Sequence, residues 1–380
     1  MGRRAGLLLP GLPQLLRGRL LEGGFALSLW LGLLTLCISR FSRVRGALLG
    51  GPDDRLALVT LVVVLGGVWW WSSREERRSM VPEAQGAGLG RTASGLGWNA
   101  FRRNRMAVWG LGIIFLFYLA MLLAPLLAPF EPEFRPAYEV GGNLTWRLAP
   151  PSSMHLMGTD EYSQDIFSRI LYGARVSLTI GLLAVGISVT LGAFLGAIAG
   201  YWGGIVDTVI MRLVDMVMAF PRLVLLIAIV ALFPRSIFIV IVALAFTQWP
   251  FTTRMVRGEI LALKEREFAE AARSLGFSRG RILFGHLLPN AFGPLIVVAT
   301  LGVGNAIILE AGLSFLGLGV QASTPSWGSM VNVGRDYLMD AWWVATFPGL
   351  AIVLAVLAFN LVGDGLRDAL DPRRREGGSR

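Results

Sequence analysis

Side chains that commonly carry enzyme chemistry are scarce in this sequence. Its 380 residues include two histidines, His155 and His286, one cysteine, Cys37, and one lysine, Lys264. Catalytic metal sites and activated nucleophiles need several such groups close together, and two histidines far apart in sequence give them little to build on. A single cysteine also excludes a disulfide within the chain. The sequence therefore predicts no catalytic residue, no metal site and no cofactor on this chain.

A nucleotide-hydrolysing site is excluded on similar grounds. A phosphate-binding loop of the Walker type needs a glycine-rich turn that ends in a lysine and a hydroxyl residue. Lys264 stands instead in the segment ILALKERE, which has no such turn. We therefore expect that this chain does not hydrolyse ATP itself.

Four ionisable residues lie within or near apolar segments, where burying a charge in a membrane costs about 2.5–3.5 kcal/mol. Asp207, Arg212 and Asp215 come early in one segment. Arg212 and Asp215 have the i, i+3 spacing of a helical ion pair, and we favour a local pair near the membrane interface over a role in a polar pathway. Glu310 comes late in another segment, near the outer end of its helix. It is expected either to line a pathway or to bond a neighbouring helix.

The segment EREFAEAARSLGFSRGRILFGHLLPN, residues 265–290, concentrates charge in an otherwise apolar chain. Gly276 suits the left-handed position that ends a helix, and Ser278 suits the N-cap of a second helix that runs to Pro289. The first helix, of about 11 residues, is marginal alone in water and needs a surface to pack against. A solvated loop helix is the alternative. The predicted apolar stripe of the first helix follows the i, i+3, i+4 and i+7 positions: Phe268, Ala271, Ala272 and Leu275.

The composition of the whole chain is that of an integral membrane protein. Hydrophobic residues make up 54% of it and charged residues 16%, with a mean hydropathy of +0.61, whereas a soluble domain has about 25% charged residues. A helix that crosses the ~30 Å hydrocarbon layer needs about 20 apolar residues. Six strong runs and two weaker ones qualify: 106–129, 176–200, 205–233, 236–252, 291–317 and 342–362, preceded by 23–39 and 55–71.

Arginine placement predicts the orientation of the six strong runs. Three arginine-rich segments, 101–105, 253–285 and 371–380, fall on one side of the membrane if each run crosses once. The positive-inside bias makes that side the cytoplasm, so that residues 130–170 and 319–341 lie outside. The predicted fold class is an all-α polytopic membrane protein with a six-helix core.

The chain divides into predicted regions at changes of composition. Residues 1–72 form an N-terminal extension with two membrane segments, and residues 73–97, rich in Gly, Ser and Ala, form a flexible linker. Residues 98–375 form the transmembrane core, which contains the cytoplasmic loop 253–289. We favour a membrane hairpin for the extension over a re-entrant or interfacial first segment, and we expect a chain that starts at Gly97 to assemble and function.

One helix of the core carries a small-residue face. Gly192, Gly196 and Gly200 recur at every fourth position, which places them on one side of a helix. Such a face lets a second helix approach closely. We predict a packing role for these glycines.

The charged segment resembles the EAA loop of the permease subunits of ATP-binding-cassette importers. The string EAARSLG, nine further residues and then HLLP supply the positions of that motif. His286 stands where the general pattern has Ile, but the dipeptide and oligopeptide branch of the family often has His there. The motif residues are Glu270, Ala271, Ala272, Gly276, Leu288 and Pro289.

Three further segments resemble the same branch, specifically the second of its two permease subunits: HLMGTDEYSQDIFSRILYGARVSL, EAGLSFLGLGVQASTPSWGSM and NLVGDGLRDALDPR. The resemblance covers about residues 98–375. It departs at Ser163 and Gln164, where the family usually has Gly and Arg before the aspartate that is Asp165 here.

The resemblance implies a permease subunit of an ATP-driven importer for peptides or related small solutes. It implies that the EAA helix is the coupling helix, seated in a groove of a cytoplasmic ATPase subunit that carries ATP and Mg. Further implied partners are a sister permease, an external substrate-binding protein and membrane lipid, with no nucleic acid. The implied location is the bacterial or archaeal inner membrane, and the transport step is alternating access.

An ion-coupled secondary transporter is the main alternative, because it would also have many helices and a few buried carboxylates. Such a transporter does not need a small-residue docking helix, and the sequence shows no clear inverted repeat. A membrane enzyme is a third class, disfavoured by the scarcity of histidine and cysteine.

Overall fold

The computed structural model describes residues 54, 57–64, 100–133, 146–320 and 324–370. The predicted hairpin and linker fall almost entirely outside these residues, and so does the arginine-rich tail. The described chain is α-helical and contains no β-strand, with one isolated bridge between Thr159 and Asp165. The all-α fold predicted from composition is therefore confirmed.

We number the helices α1–α12 in chain order. Their bounds are α1 (Arg105–Leu122), α2 (Ala124–Leu127), α3 (Ile166–Trp202), α4 (Gly204–Met218), α5 (Arg222–Leu232), α6 (Ile237–Lys264), α7 (Glu267–Ser274), α8 (Arg279–Ile282), α9 (Leu288–Asn290), α10 (Phe292–Phe315), α11 (Trp327–Gly334) and α12 (Trp343–Leu370). A π-helical turn (Leu283–Leu287) follows α8, and a 3₁₀ turn (Arg335–Tyr337) follows α11.

Five of the described helices, α1, α3, α6, α10 and α12, are long and apolar enough to cross a membrane. A sixth crossing results if α4 and α5 form one span, but the two helices are bent by 82°. The continuous run predicted for 205–233 is therefore wrong at its centre. Pro221 explains the break, because proline has no N–H to donate and disfavours a helical conformation in the residue before it.

The chain falls into two compact units, residues 1–91 with 119–131 and residues 92–118 with 132–380. In the first unit, the described residues pack through Ala57, Leu61, Leu119, Leu123 and Leu126. The second unit contains α3–α12 and all of the sites described below.

The glycine face of α3 packs directly against α6, as predicted. A Cβ atom at Gly196 would lie 2.5 Å from the carbonyl oxygen of Thr253, and one at Gly192 would lie 2.6 Å from Cβ of Thr252. At Gly200 the corresponding distance to the carbonyl oxygen of Arg257 would be 2.9 Å. Only glycine permits this approach, which fixes α6 along the length of α3.

Candidate coupling surface and intramembrane polar sites

The predicted helix-turn-helix lies at the end of α6. α7 covers Glu267–Ser274, eight residues, and is shorter than expected. Gly276 has a φ of 75°; its N–H donates to the carbonyl of Arg273 at 2.9 Å, and the N–H of Phe277 donates to the carbonyl of Ala272 at 3.2 Å. This pair of bonds is a Schellman motif, and it confirms the left-handed position predicted for Gly276.

The buried face of α7 differs from the predicted stripe. Ala269 and Ala272 are buried and pack with Ile260 of α6 and Ile282 of α8 in one cluster. Ala272 was predicted correctly as an apolar contact. Ala269, which was not in the predicted stripe, is buried beside it. Small side chains face the core here because α7 lies close to the end of α6.

The rest of the predicted stripe points outward. Phe268 is 38% exposed and Leu275 is 73% exposed, and Glu270 and Ala271 are exposed between them. The space around Gly276 is open, with no atom within 4 Å of a Cβ placed there. The outward side of α7 and its following turn, which we call the coupling surface, therefore consists of Phe268, Glu270, Ala271, Leu275 and Gly276.

The second helix of the motif runs from Arg279 to Asn290, in agreement with the prediction, but it passes through a π-helical turn at Leu283–Leu287. Ser278 has the extended backbone of an N-cap, but its side chain makes no capping hydrogen bond. The π-helical turn separates α8 from α9, which contains the partly buried Leu288 and the exposed Pro289. His286 stacks on Phe277 with ring centroids 5.6 Å apart, a packing role for this histidine.

Two ion pairs connect α4 to α6. Nε and Nη2 of Arg257 donate to the two carboxylate oxygens of Asp207 at 2.5 and 2.6 Å. Arg254 donates to Asp215 at 2.5 Å. The pair predicted within α4 is therefore wrong, since Asp215 has a partner on α6, and Arg212 is exposed without an ion pair among the described residues.

Glu310 lies in the last turns of α10 and is fully buried. Its carboxylate accepts hydrogen bonds from Ser177 of α3 at 3.1 Å and from Ser314 at 2.8 Å. The Ser177 hydroxyl also accepts from the backbone N–H of Trp327, at 3.3 Å. Of the two alternatives for Glu310, the structure shows the bond to a neighbouring helix, and through Ser177 this bond reaches the start of α11.

A cation within a predicted membrane run, Arg222, was missed at the sequence level. Arg222 is the first residue of α5, directly after the bend at Pro221, and its Nη2 donates to Oε1 of Gln248 on α6 at 2.9 Å. Gln248 is itself buried, 6% exposed. The signal was present as a Pro-Arg pair in the middle of an apolar run.

The turn before α3 is built on buried polar contacts. Asp165 caps α3 by accepting from the N–H of Ser168 at 2.8 Å, and its other oxygen lies 2.9 Å from Nδ1 of His155. Asp160 pairs with Arg169 at 3.6 Å. Burial raises the pKa of the Asp160 carboxyl above its ordinary value, while the charge of Arg169 opposes that rise.

The two departures from the family pattern both lie in this turn. Ser163 has a φ of 62°, the left-handed region where glycine, the usual family residue, is unstrained. Gln164 accepts a hydrogen bond from Arg169. A cavity of about 640 Å³ opens beside these residues, with Asp160, Gln164, Arg169, Arg235 and Met330 in its lining.

Comparisons with known proteins assign the chain. Residues 192–376 match the family of binding-protein-dependent transport system inner membrane components, and residues 94–151 match the N-terminal transmembrane domain of oligopeptide transport permease C. The dipeptide transport system permease protein DppC of Alkalihalophilus pseudofirmus is 45% identical over 274 residues, covering 72% of this chain and 88% of the relative. The chain belongs to this permease family.

A second relative has a similar description, and one solved structure resembles part of the chain. The di/tripeptide transport system permease protein DppC of Pseudomonas aeruginosa is 42% identical over 73% of this chain and 91% of its own length. Among solved structures, an inward-facing MetNI methionine ABC transporter matches with a TM-score of 0.44 and 20% identity, covering 53% of the permease and 96% of that chain.

The permease is thus a multi-pass membrane subunit of an ABC-type import system, and its family decides against the ion-coupled alternative. Within the described residues, no group of three or more His, Cys, Asp or Glu side chains is placed to hold a metal ion.

Proposed function

We propose that the permease imports dipeptides or closely related short peptides, with ATP and Mg bound on separate ATPase subunits. The observation that carries the coupling part of this proposal is the coupling surface. The buried Ala269 and Ala272 anchor α7, so that its apolar side chains and the open space around Gly276 face outward. A surface of this kind suits a protein groove. The peptide substrate is supported by the names of its relatives, which are dipeptide and di/tripeptide permeases.

The remaining partners follow from the same proposal. An external binding protein delivers the peptide, a sister permease forms the other half of the pathway, and lipid of the bacterial or archaeal inner membrane surrounds both. The coupling loop 253–289 lies in the cytoplasm and the turn 146–165 lies outside. Glu270, Ala271, Gly276 and the following Leu288 and Pro289 serve the contact with the ATPase, with Ala272 as the buried side of the same helix.

Reconstitution tests the proposed function. The complete complex, purified with its ATPase subunits and sister permease, is placed in liposomes and supplied with binding protein and a labelled dipeptide. We expect uptake that needs both internal ATP and external binding protein. Uptake driven by an ion gradient without ATP would contradict the proposal.

Thiol labelling tests the orientation. In a Cys37→Ser background, we expect an impermeant thiol reagent to label Ser152→Cys in intact cells and to leave Ser274→Cys unlabelled. Both serines are exposed, so that burial does not account for a difference. The reverse pattern would invert the orientation.

A further inference from the structure

The bend between α4 and α5 places a positive charge within the membrane part of the permease. Arg222 follows Pro221 at the bend, where the two helices meet at 82°. Its partner Gln248 lies eleven residues into α6, which begins at Ile237. At 1.5 Å per residue this is about 16 Å along the helix, and Gln248 lies within the predicted membrane run 236–252.

The described residues give Arg222 no ion pair, since none of the described carboxylates lies within bonding distance of its guanidinium. Nη2 has Gln248 as its acceptor, whereas Nε is buried without a hydrogen-bond partner. The residue as a whole is half-buried. The guanidinium is therefore desolvated but not enclosed, and no carboxylate among the described residues neutralises its charge.

The amide of Gln248 also lies close to α10. A Cβ atom at Gly302 of α10 would lie 2.7 Å from Nε2 of Gln248, so that glycine is the residue that leaves room for this amide. Because a guanidinium can only donate hydrogen bonds, the amide must present its oxygen to Arg222. The pair is thus fixed by three helices, α5, α6 and α10.

A cation without a counterion within a membrane is costly, and intramembrane arginines generally face a bundle interior or an aqueous path instead of lipid. A guanidinium offers several N–H donors in a planar fork that matches a carboxylate. Gln248 uses one of these donors. The remaining donors and the uncompensated charge fit a ligand that brings its own carboxylate.

We propose that Arg222, oriented by Gln248, binds the terminal carboxylate of the peptide as the peptide passes the bend between α4 and α5. This inference rests on the proposed function, because it names the group of the substrate that the permease recognises. It assigns Arg222 as the binding residue and Gln248 as a positioning residue.

Gln248→Glu is the sharpest test. The substitution keeps the shape of the side chain and supplies Arg222 with an internal carboxylate. Because the pair then becomes electrically neutral, we expect the variant to fold. In liposomes that contain the complete complex, we expect at least a tenfold slower uptake of a dipeptide with a free carboxylate. Uptake of the same dipeptide as its C-terminal amide should change less than twofold. ATP hydrolysis stimulated by the binding protein should persist.

Two substitutions at Arg222 complete the test. Arg222→Gln removes the charge and should reproduce the loss for the free acid with the amide unaffected, whereas Arg222→Lys keeps the charge without the fork and should fall between the wild type and Arg222→Gln. The binding protein is the same in every comparison, so its own selectivity cancels in the ratio of variant to wild type.

The outcomes separate this inference from the proposed function. Equal slowing of acid and amide uptake would show that the pair has only a structural role, and it would overturn the carboxylate assignment. Unchanged uptake of the acid by Gln248→Glu would also overturn it. Failure of the wild-type complex to transport either form would instead contradict the proposed function.

Discussion

Arg257 binds Asp207 through two parallel hydrogen bonds, which join α4 to α6 across fifty residues of sequence. Lys264, the last residue of α6, lies seven residues after Arg257 and three residues before α7 begins at Glu267. The ion pair therefore connects α6, the helix that precedes α7, to the bent pair α4–α5. A movement of the loop that is transmitted along α6 would reach α4 at this contact.

Removal of the pair should weaken the permease. We expect Asp207→Ala to lower the free energy of unfolding by about 1–2 kcal/mol, because it leaves a half-buried bidentate arginine without its carboxylate. Asp215→Ala is the matched control, since its pair with Arg254 joins the same helices but both side chains are about half exposed. Such a pair contributes about 0–1 kcal/mol. Thermal unfolding in detergent measures both, and equal losses would contradict the assignment.

The contact between α3 and α6 gives a second prediction. Gly196→Ala places a methyl group 2.5 Å from the carbonyl oxygen of Thr253 and should cost about 1–3 kcal/mol as the helices separate. Gly186→Ala on the same helix meets no atom within 4 Å and should be neutral or slightly stabilising, because alanine favours helices. A melting temperature that falls equally in both variants would show that helix packing is not the cause.

Ser163 offers a stabilising substitution. Its φ of 62° is strained for a residue with a side chain, and its buried hydroxyl has no hydrogen-bond partner among the described residues. Ser163→Gly removes both costs, and we expect a gain of about 1 kcal/mol. Ser163→Ala, which removes only the hydroxyl, should gain less. A lower melting temperature for Ser163→Gly would contradict this account of the turn.

Glu310 is predicted to stabilise the outer end of the helix bundle. Glu310→Leu removes the acceptor of the Ser177 and Ser314 hydroxyls and should cost about 1–3 kcal/mol. Glu310→Gln retains one acceptor oxygen, and a smaller loss is expected. If the two variants melted at the same temperature as the wild type, the hydrogen bonds would not be needed for stability, and a role in the pathway would regain support.

Hydropathy located the membrane helices well but not their ends or breaks. α3 begins at Ile166, ten residues before the predicted run. The prediction began late because Ser168, Arg169 and Arg175 in the first turns of the helix lower the mean hydropathy. The prediction likewise ended α6 at residue 252, although the helix continues through charged residues to Lys264. Pro221 within the apolar run 205–233 could have indicated the bend. Hydropathy did not show it, because hydropathy takes no account of backbone geometry.

The sites show a different limit. Periodicity identified α7 and its glycine terminus, because these depend on residues close in sequence. It did not determine which side is covered, since burial of Ala269 depends on α6 and α8. Likewise, proximity in sequence suggested Arg212 as the partner of Asp215, whereas the actual partner, Arg254, is 39 residues away.

The coupling surface is the central element of this account, and Ala271 is its best probe. Ala271 is exposed, so a larger side chain there should leave the fold intact, whereas Ala269, two residues earlier, is buried. We expect Ala269→Trp to prevent stable folding and Ala271→Trp to insert and melt like the wild type. Glu270→Ala and Gly276→Trp are expected to behave like Ala271→Trp, although Gly276→Trp adds strain at a positive φ.

The most direct measurement is ATP-dependent, binding-protein-dependent dipeptide uptake by liposomes that contain equal amounts of Ala271→Trp and Ala271→Ser complexes. Serine is small enough to fit a partner groove and tryptophan is not. The account predicts wild-type uptake for Ala271→Ser and at least a tenfold loss for Ala271→Trp, with the thermal stability of the permease unchanged. Normal uptake by Ala271→Trp would contradict the assignment of this surface to coupling.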